Sequence, residues 1–338
     1  MQRLLYIVSF LLLIACSKNA MPGTANPVAA SVLRTVNVSN ASELKAALAD
    51  AQAGDDIILS DGSYKGKFVV AANADGRADA MITLRGSRNA ILDAENINTG
   101  YVLYLQADYW KISGISISNG LKGIMADGIH HCLLEKIRVF NIGEEAVHLR
   151  KASTHNSLRE LEISHTGLKT ADYGEGIYIG SAKNNWPNYS NGLADKCDSN
   201  YVINNIIGPE VKAECIDIKE GTTGGIIRDN RFDATGITGA NSGDSWIDVK
   251  GNGYLIENNR GTNPGGTIFK DGYQVHCAVQ GWGNDNLFKN NYCEVNAAGY
   301  GFNIQLSGSN GTTSGNKVFS NNQVVAAASG VSNIPLSN

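Results

Sequence analysis

The chain has 338 residues and a formal net charge of −4, enough for one large domain or two ordinary ones. The mild acidity excludes a protein built around an electrostatic grip on nucleic acid. Gly is abundant at 38 against only 6 Pro, with 43% hydrophobic residues, which excludes a disordered chain and points to many tight turns around a substantial core.

Residues 1–15 read as a signal peptide: Arg3, then an apolar run too short to cross a bilayer comfortably. The run ends in Leu13-Ile14-Ala15-Cys16. That tetrad resembles the lipobox of bacterial lipoproteins, which implies cleavage before Cys16, lipidation of Cys16 and anchoring in the bacterial cell envelope. Residues 16–34 then read as a flexible tether, and residues 35–338 as one domain. From Ser42 a short helix is expected through Leu44, Ala47 and Leu48, stopping before Gly54. Asp56 to Leu59 follows as a first strand. Such a helix suits the open end of a stacked structure, which needs a cap.

From about Ile82 onward, short apolar-x-apolar runs return every ~30 residues, a solenoid period. Val147 to Ile177 is 30 residues and Ile216 to Ile247 is 31. The step from Ile177 to Ile216 is longer, at 39, so the segment after Ser181 bulges out as a loop. Pairs such as Asn204-Asn205, Asp229-Asn230, Asn258-Asn259 and Asn290-Asn291 suit left-handed turns and stacked amide ladders. One such unit cannot bury its own apolar face, so the units stack as parallel strands ~4.8 Å apart. The expected fold is all-β, a right-handed parallel β-helix with a short N-terminal capping helix. Apart from Cys16, five cysteines remain, Cys132, Cys197, Cys215, Cys277 and Cys293, without zinc-like spacing. Burial as small apolar side chains is the favoured reading for several of them.

Two segments, "ECIDIKEG" and "SWIDVKGN", repeat the order apolar-Asp-apolar-Lys. In register, Asp217 stacks on Asp248 and Lys219 lies beside Lys250. The extended ladder reads His148, Tyr178, Asp217, Asp248, His276, Asn303. The next outward position reads Arg150, Gly180, Lys219, Lys250, an amide or small residue, and Gln305. Stacked carboxylates persist only with a shared proton, a lysine or a cation. The rows therefore make either an ion-pair lattice or an acid–base or Ca²⁺ site, with Glu214 and Asp244 at its edges. A lysine beside other cations is expected to have a lowered pKa and to serve as a base. Trp186 and Tyr189, in the bulging loop, are candidates for stacking on sugar rings.

The N-terminal segment "ASELKAALADAQAGDDIILSDGSYKGKFVV" and the coil "KAECIDIKEGTTGGIIRDN" resemble the pectate-lyase-like superfamily of parallel β-helices. They are most similar to the chondroitinase B and alginate lyase type of polysaccharide lyase. The resemblance covers most of residues 36–330. It implies β-elimination on an anionic, uronic-acid polysaccharide by a monomeric enzyme. Glu214 and Lys219 match the family's Ca²⁺-binding Glu and Brønsted-base Lys. A further acidic ligand is expected where this chain has Lys212. The implied roles are Lys219 as base, Lys250 or Arg150 neutralising the uronate, and Tyr178 or His148 as proton donor. Glu214, Asp217, Asp248 and Asp244 hold Ca²⁺ or orient the lysines. His276, Asn303, Gln305, Trp186 and Tyr189 bind substrate. Two other readings stay open: a glycoside hydrolase using Asp217 and Asp248, and a non-catalytic surface protein that binds polysaccharide.

Overall fold

The computed structural model describes residues 34–265 and 268–338. The predicted signal peptide, Cys16 and all but the last residue of the predicted tether lie outside the described residues. The chain winds into a right-handed parallel β-helix with three long sheets of twelve, ten and ten strands. In each sheet, the neighbour of a strand is the corresponding strand one coil earlier or later. Pairing within all three sheets is parallel, as in Val147–Arg150 against Ile177–Ile179.

Register is fixed by an inward column of apolar side chains. Ile124, Val147, Ile177, Ile216, Ile247, Tyr273 and Phe302 pair directly from coil to coil, and all are fully buried. A second inward column, Leu149, Ile179, Ile218, Val249, Val275 and Ile304, lies two residues further on. A one-residue slip would turn both columns to solvent, so each strand has a single acceptable alignment.

At the N-terminal end, the helix Ala41–Ala49 lays Leu44, Ala47 and Leu48 over the first coils. Its cap is Asn40, whose Oδ1 accepts from the Glu43 amide, and not Ser42. Asn40 supersedes Ser42 because Glu43 lies three residues after it, and Glu43 in turn accepts from the Ser39 amide at 2.7 Å.

The paired asparagines divide their work as expected. Asn204, Asp229, Asn258 and Asn290 take left-handed backbone at the turns. Their followers Asn205, Asn230, Asn259 and Asn291 form a buried amide ladder that ends on Asn322. Each Nδ2 donates to the next Oδ1 at 2.8–3.0 Å. Asn230 also donates to Val202 O and accepts from the Asn205 amide, both at 2.9 Å. Asn230→Ala leaves several buried polar groups without partners. It is expected to lower stability by about 3 kcal/mol or more, which urea unfolding would register as a lower midpoint. An unchanged midpoint would show that the ladder carries no weight. The five cysteines among the described residues are buried and free.

Candidate active site

The ten-stranded sheet that contains Val147–Arg150, Ile177–Ile179, Ile216–Ile218, Ile247–Val249 and Tyr273–Val275 carries the chemistry. Its outward side chains form three rows across consecutive coils. The middle row reads Met125, His148, Tyr178, Asp217, Asp248, Gln274, Asn303. Beside it runs Arg150, Gly180, Lys219, Lys250, His276, Gln305. This alignment follows from the bonds Gly180 N to Leu149 O, Lys219 N to Ile179 O, Lys250 N to Ile218 O, His276 N to Val249 O and Gln305 N to Val275 O.

Asp217 therefore stacks on Asp248, as the repeated motif predicted. His276 does not follow Asp248 in the middle row. Gln274 takes that place, and His276 stands in the lysine row where an amide or small residue was expected. The reason is the short coil: Ile247 pairs with Tyr273, only 26 residues on, and not with Val275, so the place on Asp248 falls to Gln274 and His276 lies two residues further along.

The third row was not seen in the sequence. Two residues ahead of the paired Val147, Ile177 and Ile216 stand Glu145, Glu175 and Glu214, a ladder of three glutamates. Its signal was present in "EAVHL", "EGIYI" and "ECIDI", but a Glu before a strand reads as an ordinary turn residue.

These rows form one charged lattice. Asp217 Oδ2 is 2.6 Å from Lys219 Nζ, and its Oδ1 is 2.8 Å from Lys250 Nζ. Lys250 also contacts Asp248 Oδ2 at 2.6 Å, and His276 Nδ1 meets Asp248 Oδ1 at 2.7 Å. Burial favours neutral amines, but the carboxylates outweigh it, so both lysines have raised pKa values. The expected lowering by neighbouring cations is thus reversed. Each ammonium has more carboxylates than cations around it. Burial also works against the charge on Asp248, yet Lys250 and His276 hold it well below the ordinary range. Burial and the Asp217 charge push Glu214 up to about 8.

Tyr178 lies against His148, ring centroids 4.4 Å apart, with Lys219 Nζ 4.8 Å from its ring centre. Burial, then Asp217, raises the phenol well above its usual value. His148 Nε2–H donates to Gly180 O at 2.9 Å while Nδ1 faces Glu145 at 3.5 Å. Glu145 is also paired with Lys122. Burial pushes its pKa up, but His148 and Lys122 together bring it down to about 2. Arg150 is committed to Asp127, which also binds Lys151 and the Tyr104 hydroxyl. Its guanidinium lies 4.2 Å from the Tyr189 ring centre.

Two adjoining cavities of about 480 and 350 Å³ open over these rows. The first holds Arg150, His148, Tyr178, Glu175 and Tyr189; the second holds Glu214, Asp217, Asp248, Lys250 and His276. Lys219 and Asn241 line both. The remaining predicted binders are placed differently. Trp186 is buried, its Nε1 donating to Ser181 O at 2.9 Å, so it pins the bulging loop and does not face sugar. Glu220 fastens the same loop by accepting from the Lys183 amide at 2.7 Å. Gln305 lines the second cavity but spends its Oε1 on the Cys277 amide, and Asn303 donates to Asp271 at 2.9 Å.

Among the described residues, the carboxylates close enough to share an ion are Glu175, Glu214 and Asp217, with ligand atoms within 4.8 Å of one another. Both oxygens of Asp217 already face ammonium groups, Asp248 faces Lys250 and His276, and Asp244 faces Lys270 and Gln274. Ca²⁺ takes six to eight oxygens, and two ammonium groups at its ligands repel it. The donor set does not fit a resident Ca²⁺ ion. Asp248 does not suit the proton donor of a hydrolase either, because Lys250 and His276 hold its carboxyl well below the ordinary range.

No family model matches the chain, and no curated protein does. Solved structures do match. An alginate lyase from Paenibacillus sp. str. FPU-7 is 40% identical, with a TM-score of 0.83, over 90% of this chain and 99% of that one. Pectate lyase Pel9A, at 16% identity, has a TM-score of 0.61 over 92% of this chain and 79% of its own. The PL6 family alginate lyase AlyGC, at 19% identity, has a TM-score of 0.54 over 82% of this chain and 41% of its own, and like Pel9A it attests the fold alone. Identity at that level across nearly the whole of the first of these, with the in-register polar rows on the same fold, shows that the chain belongs to the pectate-lyase-like family of parallel β-helix polysaccharide lyases.

Proposed function

We propose that the enzyme cleaves alginate, or a closely similar uronic-acid polymer, by β-elimination, with Lys219 as base and Tyr178 as acid. The observation that carries this reading is that Lys219 Nζ lies 4.8 Å from the Tyr178 ring centre, both residues lining the first cavity and Lys219 also the second. The alginate specificity rests on the Paenibacillus relative.

In the resting enzyme Lys219 is an ammonium paired with Asp217. Desolvation already acts on it toward the neutral amine, and a sugar lying over the cleft increases that pressure. The proton passes to Asp217 Oδ2, the carboxylate in contact with it. The free amine then takes the C5 proton of the uronate. The C5–H electrons form the C4=C5 double bond as the C4–O bond breaks. Tyr178, kept neutral by its surroundings, gives its proton to the departing oxygen. The phenolate recovers a proton from the Lys219 ammonium beside it. Lys250, bridging Asp217 and Asp248, keeps the second carboxylate pair in place. Arg150 and Tyr189 close the far end of the first cavity and are assigned to substrate binding.

The test uses residues 17–338 with alginate and other uronic-acid polymers, with and without chelator. An ultraviolet-absorbing unsaturated product on alginate is expected, at the same rate in chelator. New reducing ends without that absorbance would overturn the reading in favour of hydrolysis. We propose further, from the tetrad Leu13-Ile14-Ala15-Cys16, that the enzyme is held by lipid on Cys16 in the bacterial envelope, as a monomer.

A further inference from the structure

The elimination leaves one task without a group to perform it. The carboxylate of the reacting uronate must be relieved of charge, because removing the adjacent proton drives more negative charge onto it. Lys219 acts as base, Lys250 is divided between Asp217 and Asp248, His276 is paired with Asp248, and Arg150, paired with Asp127, stands at the far end of the first cavity.

Glu175 stands in the middle of the glutamate ladder, with Glu145 on one coil and Glu214 on the next. Its side chain is buried, 2% exposed, and lines the cavity that holds Tyr178, His148 and Lys219. Glu145 has Lys122 and His148 as partners, and Asp217 has both lysines. Glu175 forms no ion pair among the described residues, and its Oε2 is buried without any hydrogen-bond partner. Glu145, Glu214, Asp217 and Lys219 act on its charge, and Lys122, Glu144, His148, Arg150 and the phenols of Tyr101, Tyr173, Tyr178 and Tyr189 line the same cavity. Carboxyls so crowded do not all ionise, and Glu175 and Glu214, neither of which has a paired cation among the described residues, are the ones that keep a proton; of the two, Glu175 has the buried oxygen without a partner. Burial, then the charges of Glu145, Asp217 and Glu214, accordingly hold Glu175 well above the ordinary carboxyl range. A carboxylic acid has one O–H to donate, and a buried donor without an acceptor is costly unless a ligand supplies one.

We propose that Glu175 is that missing group: a neutral carboxylic acid that donates a hydrogen bond to the carboxylate of the reacting uronate and holds the charge that develops there. This rests on the uronate elimination proposed above.

Two variants test it on a purified alginate oligosaccharide, read by absorbance of the unsaturated product. Glu175→Gln keeps an N–H donor at the same place and is expected to stay within about tenfold of wild type. Glu175→Leu has similar volume and no donor. It is expected to lose about 10²–10³-fold in kcat with a much smaller change in KM, because the charge grows only after binding. Melting curves verify that both variants fold; if Glu175→Leu does not, Glu175→Met carries the same comparison. An apolar variant within tenfold of wild type would overturn the inference. So would a folded Glu175→Gln as inactive as the apolar variant. If the wild-type enzyme itself releases no unsaturated product from any uronate polymer, the elimination reading fails and this inference falls with it.

Discussion

Lys219→Ala is expected to lower kcat on alginate by about 10²–10⁴-fold, the usual contribution of a positioned general base. Asp217 keeps Lys250 as partner in that variant, so the lattice survives and the melting temperature changes little. The sharper version is Lys219→Arg. A guanidinium preserves the positive charge beside Asp217 and the face of Tyr178, but it cannot be deprotonated in a protein. Lys219→Arg should therefore bind substrate with a near-normal KM and turn over as slowly as Lys219→Ala. Steady-state kinetics of the three proteins decides the matter. A Lys219→Arg enzyme that works at a substantial fraction of the wild-type rate would move the base elsewhere and leave Lys219 as a charge that neutralises the uronate.

Tyr178→Phe is expected to cost a similar factor, about 10²–10⁴-fold, for a different reason. The ring stays against His148 and under Lys219, so packing is kept and only the proton donor is lost. The deficit should shrink on a substrate whose leaving group needs no protonation, such as an activated aryl uronide, because departure no longer waits for an acid. Equal losses on both kinds of substrate would mean that the hydroxyl serves binding and not protonation. A pH profile adds a sign. Ionisation of a phenol held above its ordinary value lies beyond the neutral range, so Tyr178 itself should impose no alkaline loss of activity near pH 8, whereas Glu214, at about 8, titrates there.

Much of this was legible in the sequence because the solenoid repeats its grammar. The echo of "CIDIK" in "WIDVK" fixed Asp217 on Asp248 and Lys219 beside Lys250, since alternate residues of a strand face one way and the coil lengths match. The same logic misplaced His276, where a shorter coil pairs Val275 with Val249 instead of Ile247, so that Gln274 follows Asp248. Trp186 was out of reach for another reason. Whether a loop aromatic faces solvent or folds back depends on contacts such as Trp186 to Ser181 and Glu220 to Lys183, which no local pattern encodes. The charge state of the lysines was also hidden. It is a sum over three rows, and the row of Glu145, Glu175 and Glu214 was not recognised as a row. The sequence left Ca²⁺ and the lysines as alternative compensation for the stacked carboxylates, because only the distances from Asp217 and Asp248 to the ammonium groups choose between them.

The coil-to-coil register has a consequence for how such an enzyme can change. Within a strand, gaining or losing one residue would exchange inner and outer faces and turn Asp217 or Lys219 into the core. At a turn, extra length is harmless: the step from Ile177 to Ile216 absorbs its surplus in a loop pinned by Trp186, while Tyr178 still meets Asp217. Beyond Gln305, a whole added coil would extend the cleft by about 4.8 Å and leave every reacting group where it is. Length along the polymer is therefore quantised in coils, while the chemistry occupies a few fixed rungs. Lineages built on this scaffold are free to lengthen or shorten their grip on the polymer without renegotiating the reaction.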